Sequence, residues 1–185
     1  MKVTKTKIEG LLIIEPDIYK DDRGYFFESF NEQKYNEIGI SEKFVQDNQS
    51  CSKKGTIRGM HYQIGEFAQG KLVRVASGKV IDYAVDVRFG SPTFGKYVSV
   101  ELSAENHKQF WIPTGFAHGF EALEDNTILQ YKCTNYYSKK HERGIIYNDY
   151  DISINWKNET KLISEKDKTN IKLENIEKDF IYREK

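Results

Sequence analysis

The chain has 185 residues, enough for one domain with a sizeable core. Its 28 Lys and Arg balance 28 Asp and Glu, so no basic excess points to nucleic acid and no acidic tail to a charged macromolecular partner. Aromatic residues make up 14%, which favours strands and pockets that stack rings.

In chain order, Ile8 to Glu15 reads as a first, buried strand. Its apolar run, Leu11 to Ile14, is too short for a signal h-region or a membrane span. Asp21-Asp22-Arg23-Gly24 is a turn. Tyr25 to Phe30 is an aromatic strand, and Glu32 to Ile38 a short helix. Strands follow at Phe44 to Ser50, Thr56 to Gln63 and Lys71 to Ser77. After a Ser77-Gly78 turn, Val80 to Val87 alternates, with Ile81, Tyr83, Val85 and Val87 on one face. Tyr97 to Leu102 alternates too, with Val98, Val100 and Leu102 inward. Lys108 to Ile112, Ala117 to Leu123 and Thr127 to Thr134 complete the set.

About ten strands at roughly ten-residue spacing imply an antiparallel sandwich or barrel. The last thirty or so residues, rich in Lys, Glu, Asn and Ile, predict one or two peripheral helices and a frayed end. No repeat, linker or second domain is visible, so residues 1–185 read as a single domain with a peripheral tail at 169–185. Cys51 and Cys133 sit in no CxxC, which argues against a zinc site or redox pair; two thiols without an export signal fit a cytoplasmic location.

Candidate chemistry begins at His61 in Ile57-Arg58-Gly59-Met60-His61. Strict alternation puts Arg58 and His61 on opposite faces, whereas a bulge at Gly59 would re-aim one of them; the pattern fits either. Pro113-Thr114-Gly115-Phe116-Ala117-His118 delivers a second histidine on a strand. It resembles the second cupin motif, but the His-x-His pair of metal cupins is replaced by His61-Tyr62-Gln63. Two isolated histidines fall short of the usual three protein ligands, so no metal is expected. Lys71 opens a strand, where a lysine is normally solvated, and Tyr131 lies within one, where a tyrosine usually packs in the core with its hydroxyl hydrogen-bonded. Arg23 and Arg58 have the fork geometry that matches phosphate. Neither a GxGxxG nor a Walker-type loop is present, so no cofactor is implied.

Taken in order, DDRGYFFESF (21–30), FVQDNQS (44–50), IRGMHYQ (57–63), GKLVRV (70–75), SPTFGKYVSVELSAEN (91–106), FWIPTGFAHGF (110–120), YKCTNYYS (131–138), ERGIIYND (142–149) and ISEKD (163–167) resemble the dTDP-4-dehydrorhamnose 3,5-epimerase family. The similarity runs from about residue 7 to 168. It implies a mainly β fold, a cupin-like double-stranded β-helix (jelly roll) barrel, and a dTDP-linked 4-keto-6-deoxysugar as substrate. It also implies His61 as general base, Asp167 as the carboxylate behind it, Tyr131 as proton donor on the opposite face, and Lys71 and His118 near the reacting carbonyl. Arg23, Glu28, Gln46, Asp47, Asn48, Arg58, Glu142 and Lys166 match positions that hold nucleotide and diphosphate, and Phe26 and Tyr136 match aromatic neighbours of the substrate. In the family the Arg23–Glu28 segment reaches into the partner's site, which implies a homodimer with shared pockets. Tyr147-Asn148-Asp149, Trp156-Lys157 and Met60 depart from the family's Trp-Asn-Asp, Trp-Pro and Leu. The alternatives are an epimerase acting at C3 or C5 alone, a non-catalytic nucleotide-sugar-binding barrel, and a metal-dependent cupin enzyme, which the missing His-x-His disfavours.

Overall fold

The structure, a computed structural model, describes residues 1–184. Two antiparallel sheets face each other. The first runs in the order β1 (Lys2–Lys5), β2 (Leu12–Glu15), β10 (Gln109–Ile112), β7 (Lys71–Ser77), β12 (Thr127–Cys133), β5 (Gln46–Ser52). The second runs β13 (Glu142–Gly144), β6 (Thr56–Gln63), β11 (Phe116–Ala122), β8 (Lys79–Asp86), β9 (Tyr97–Ser103), with β14 (Leu162–Ile163) added parallel to β6. A separate hairpin joins β3 (Tyr19–Asp21) to β4 (Gly24–Phe26). The helices are short: α1 (Glu32–Glu37) and α2 (Glu165–Lys168). Among the described residues no helix is long and apolar enough to cross a membrane.

Side-chain alternation explains the layers. Val73, Val75, Phe110 and Leu129 from the first sheet meet Val80, Ala84, Val98, Val100, Leu102 and Phe120 from the second, so Val98, Val100 and Leu102 do face inward. The opposite face of β8, carrying Ile81, Tyr83 and Val85, is covered as well. Ile145, Ile152, Leu173 and Ile176 of the C-terminal segment pack there, with Trp156 and Phe180. All seven residues of β11 are therefore buried. On the outer face of the first sheet, Tyr35 of α1 and Ile40 cover Ile14, Leu72 and Trp111. The side chain of Asn31 caps α1 by accepting from Lys34 N at 3.2 Å.

The strands at Thr56–Gln63 and Lys71–Ser77 have the bounds expected from the sequence, and the other central strands agree within one or two residues. Three segments differ. Ile8 to Glu15 is not one strand: a turn with Gly10 at φ 99° separates β2 from β1, and Ile8 and Leu11 enter the core from that turn. The aromatic strand expected at Tyr25 to Phe30 ends at Phe26, because Phe30 folds back onto Tyr35 and Phe44. The tail carries the short helical turns expected of it, but most of it is not helical, and the last residue lies outside the described residues. Beyond the single turn of α2 and a 3₁₀ turn at Leu173–Asn175 it lies extended over β8 and β11. Its far end is tied down where Arg88 lies between the rings of Phe116 and Tyr182 and the Tyr182 hydroxyl donates to Glu9 at 3.0 Å.

Ile176 therefore reports on the tail. Ile176→Ala is expected to lower stability by about 2–5 kcal/mol in urea unfolding, as for a core aliphatic. A change below about 0.5 kcal/mol would mean that the segment is dispensable.

Candidate active site

The site begins with a register irregularity. His118 on β11 pairs with His61 on β6, but Phe120 pairs with Arg58, so β6 carries one residue more than β11 between these points. The extra residue lies in Gly59-Met60, and it turns both Arg58 and His61 toward one cavity. The bulged reading of the sequence is the one the fold adopts. Glycine is required at the crossing. A Cβ on Gly59, whose φ is 128°, would lie 2.5 Å from Gly119 Cα and 2.8 Å from His118 O.

Asp167 arrives at this crossing from the far end of the chain. Ser164 caps α2, its Oγ accepting from Asp167 N at 3.2 Å. One carboxylate oxygen of Asp167 lies 2.6 Å from His61 Nε2, and the other accepts from Gly59 N at 3.4 Å. Burial pushes the Asp167 carboxyl up, but the hydrogen bond and charge of His61, with Gly59 N, hold it below the usual carboxylate range. An ionised carboxylate can only accept, so His61 Nε2 donates to it, and in the neutral ring the lone pair is then on Nδ1. The His61 ring remains about a quarter exposed (27%), the Asp167 side chain hardly at all (5%).

The cavity has a volume of about 530 Å³, and its polar lining includes Arg58, His61, Lys71, His118, Tyr131 and Lys166. Lys71 Nζ donates to His61 O at 3.4 Å and stands 5.8 Å from the centre of the Tyr131 ring. Burial pushes the Lys71 ammonium below the usual lysine range and the Tyr131 phenol above the usual tyrosine range. His118 Nε2 lies 3.0 Å from Asp82 Oδ2. Burial raises the Asp82 carboxyl and lowers His118, each opposed by the other, while Asp82 Oδ1 has no hydrogen-bond partner among the described residues. Each histidine thus takes one carboxylate. Among the described residues no group of three His, Cys, Asp or Glu side chains is placed to hold a metal ion.

A smaller lobe of about 100 Å³ shares His61, Lys71 and Tyr131 and adds Gln46, Asn48 and Glu142. Burial raises the Glu142 carboxyl, but the Lys166 ammonium paired with it holds it below the usual range. Arg58 makes no ion pair among the described residues. Its guanidinium reaches only Ser52 Oγ at 3.3 Å and Cys51 O at 3.4 Å.

Five of the expected site residues lie outside this cavity. Asp47 pairs with Lys132 at 3.0 Å on the outer face of the first sheet, because alternation turns it away from Gln46 and Asn48. Arg23 is 90% exposed and held by Asp21 at 2.6 Å; Phe26 and Tyr136 are exposed. Glu28 binds Lys34 at 2.8 Å and Asn31 at 2.6 Å. Conversely, Asp82, Ser50, Ser164 and Phe120 belong to the site or its support and were not anticipated. Asp82 had a signal: an acidic residue inside an alternating apolar strand, on the face opposite Tyr83.

A family description, dTDP-4-dehydrorhamnose 3,5-epimerase, matches residues 5–175. A dTDP-4-dehydrorhamnose 3,5-epimerase of Shigella flexneri is 54% identical over 168 residues, covering 90% of this chain and 93% of the relative. The crystal structure of a dTDP-6-deoxy-D-glucose-3,5-epimerase from Legionella pneumophila, in complex with dTDP-4-keto-L-rhamnose, superposes with a TM-score of 0.95 at 48% identity and 99% coverage of both chains. A dTDP-4-dehydrorhamnose 3,5-epimerase from Bacillus anthracis with TDP and pyrophosphate bound gives 0.90 at 42% identity, covering 92% of this chain and 98% of the other.

Gly59→Ala tests the crossing. The new Cβ meets backbone rather than a flexible side chain. The variant should lose about 1–3 kcal/mol of stability in thermal melts, and its catalytic rate should fall as Gly59 N shifts from Asp167. Wild-type stability and rate would show that the close approach is not needed.

Proposed function

The chain belongs to the dTDP-4-dehydrorhamnose 3,5-epimerase family, and we propose that His61, Asp167, Lys71 and Tyr131 carry the family's chemistry here. The protein is an isomerase that converts dTDP-4-dehydro-6-deoxy-D-glucose to dTDP-4-dehydro-L-rhamnose. The observation that carries the site assignment is the 2.6 Å His61–Asp167 pair opening on a cavity that also holds Lys71 and Tyr131.

In the substrate, C3 and C5 flank the C4 ketone, and their protons are acidic only because the resulting carbanion spreads onto O4 as an enolate. His61 Nδ1 takes the proton from carbon, and the Asp167 carboxylate favours the imidazolium that forms. Lys71 offers its charge where O4 becomes negative. Tyr131, kept protonated by burial, returns a proton to the opposite face of the same carbon. His61 then releases its proton and Tyr131 regains one from solvent. Repeated at the second carbon, the cycle inverts both centres with no net oxidation and no break in the sugar skeleton.

The binding of the rest of the substrate follows from what else lines the cavity. Arg58, without a carboxylate partner among the described residues, and Lys166, paired with Glu142 at the same cavity wall, suit the diphosphate. Gln46, Asn48 and Glu142 line the adjoining lobe, and His118 stands in the floor by the ketone. The β3–β4 hairpin presents Arg23 and an exposed Phe26, with Glu28 just beyond it, away from this chain's own cavity. This supports the reading that these residues, with exposed Tyr136, complete a site together with a second copy in a homodimer. Two unpaired cysteines support a cytoplasmic location.

The reaction is tested by incubating the enzyme with dTDP-4-keto-6-deoxyglucose in deuterated water and following the sugar by NMR. Deuterium is expected at both C3 and C5. Label at one carbon alone would identify a single-site epimerase, and none at all, with the nucleotide sugar bound, a binding barrel. His61→Ala should abolish incorporation at both carbons while dTDP binding changes by less than about threefold. Near-wild-type turnover by that variant would remove His61 from the mechanism.

The pH profile should distinguish Lys71 from Tyr131. A lysine whose pKa is lowered by burial keeps its charge below that pKa and loses it as pH rises through it, whereas the Tyr131 phenol is shifted the other way. The alkaline limb of kcat is therefore expected below the usual lysine range and assigned to Lys71. A rate that stays flat through that range would contradict the role given to the Lys71 charge.

A further inference from the structure

Asp167 must reach His61 from a segment with almost no regular structure, and one buried side chain outside the cavity fixes that segment. Glu121 lies on β11, on the outer face of the second sheet, and is fully buried. Its Oε2 accepts from Lys157 N at 2.7 Å; its Oε1 accepts from Asn158 N at 2.8 Å and Asn158 Nδ2 at 2.9 Å. Asn158 Nδ2 also donates to Ala122 O at 3.2 Å. A carboxyl group fully out of water with no cation against it among the described residues is costly unless N–H donors surround it, and here all three donors come from Lys157 and Asn158.

The next contacts along the chain show what this latch sets. Thr160 O passes where a side chain on Gly55 would stand, 2.4 Å from the position of its Cβ. Leu162 N then donates to Gly55 O at 2.9 Å, and β14 runs parallel to Thr56 and Ile57 of β6, the strand that carries His61. Ser164 caps α2, and Asp167 follows on that turn. Because β14 contributes only two residues to the sheet, it cannot set its own register; the clamp on Lys157 and Asn158 supplies the fixed end.

We propose that Glu121 is a positioning residue for the epimerisation: it acts through segment 157–167 to hold the Asp167 carboxylate against His61. The proposal rests on the assignment of Asp167 as the partner of the base. Glu121→Gln keeps the shape of the side chain but replaces one acceptor with an NH₂ facing backbone N–H donors.

The test is a double-mutant cycle read in kcat and KM for the nucleotide sugar, with thermal melts to confirm that each variant is folded. Glu121→Gln is expected to lower kcat at least about tenfold in the otherwise native enzyme, with KM within about twofold. In an Asp167→Asn background the same change should cost less than about twofold, because the group it positions is already gone. Equal losses in both backgrounds, or no loss in either, would overturn the proposal. Wild-type turnover by Asp167→Asn alone would overturn the underlying assignment and the latch with it. If Glu121→Gln does not fold, Asn158→Ala, which removes the Nδ2 contacts alone, is read in the same cycle. A kcat loss confined to the Asp167 background supports the latch, and equal or absent losses overturn it.

Discussion

The close crossing of β6 and β11 is the constraint on which the rest depends. Two glycines, Gly59 and Gly119, let the backbones approach to a distance that a side chain would forbid. The one-residue offset between the strands at that point turns Arg58 and His61 into the same cavity. It also points Gly59 N at Asp167, so the backbone that makes the bulge supplies a donor to the carboxylate behind the base. Filling the gap or removing the offset would disturb the core, the base and its partner together, since all three share one stretch of β6.

From that point outward, the C-terminal segment serves two purposes. Its apolar residues, Ile145, Ile152, Leu173 and Ile176, cover a sheet face that would otherwise expose Tyr83, Val85 and Ala117. Its polar residues deliver Asp167. Stability and catalysis are thus coupled through one segment: loosening its apolar cover would let the carboxylate drift from an imidazole 2.6 Å away. This also explains why the polar, Lys- and Glu-rich composition of the last residues misleads. The few aliphatic residues spaced among the charges are the ones that pack, and the strand faces they cover are not visible from the tail itself.

Much of the fold was legible because alternation at period two survives wherever one sheet face meets the core, as in Tyr97 to Ser103. It failed where local geometry overrode alternation. The turn at Gly10 divides what reads as one apolar strand, and Phe30 leaves the strand direction to pack on Tyr35 and Phe44. The site divides in the same way. His61, Lys71, His118, Tyr131 and Asp167 could be named from motif resemblance, and the fold brings all five together. Asp47 was named with its neighbours, yet alternation alone should have turned it outward. Asp82 is the reverse case: no motif drew attention to it, although a carboxyl within Val80 to Val87 has few reasons to be there other than a buried partner.

That buried carboxyl bears on how Lys71 can act. Lys71, His118 and Asp82 are buried side chains for which charge is costly, and burial shifts each of them toward its neutral form. An ionised Asp82 would attract the Lys71 ammonium and spend its field on the protein itself. Burial works against that by raising the Asp82 carboxyl, which lies 3.0 Å from His118. The less Asp82 is ionised, the more of the Lys71 field is left for the substrate. The enolate oxygen, when it forms, is the anion that best matches a poorly solvated ammonium, so the interaction strengthens as charge moves from carbon to O4. An interaction that grows along the reaction coordinate in this way lowers the barrier rather than merely tightening the bound ground state.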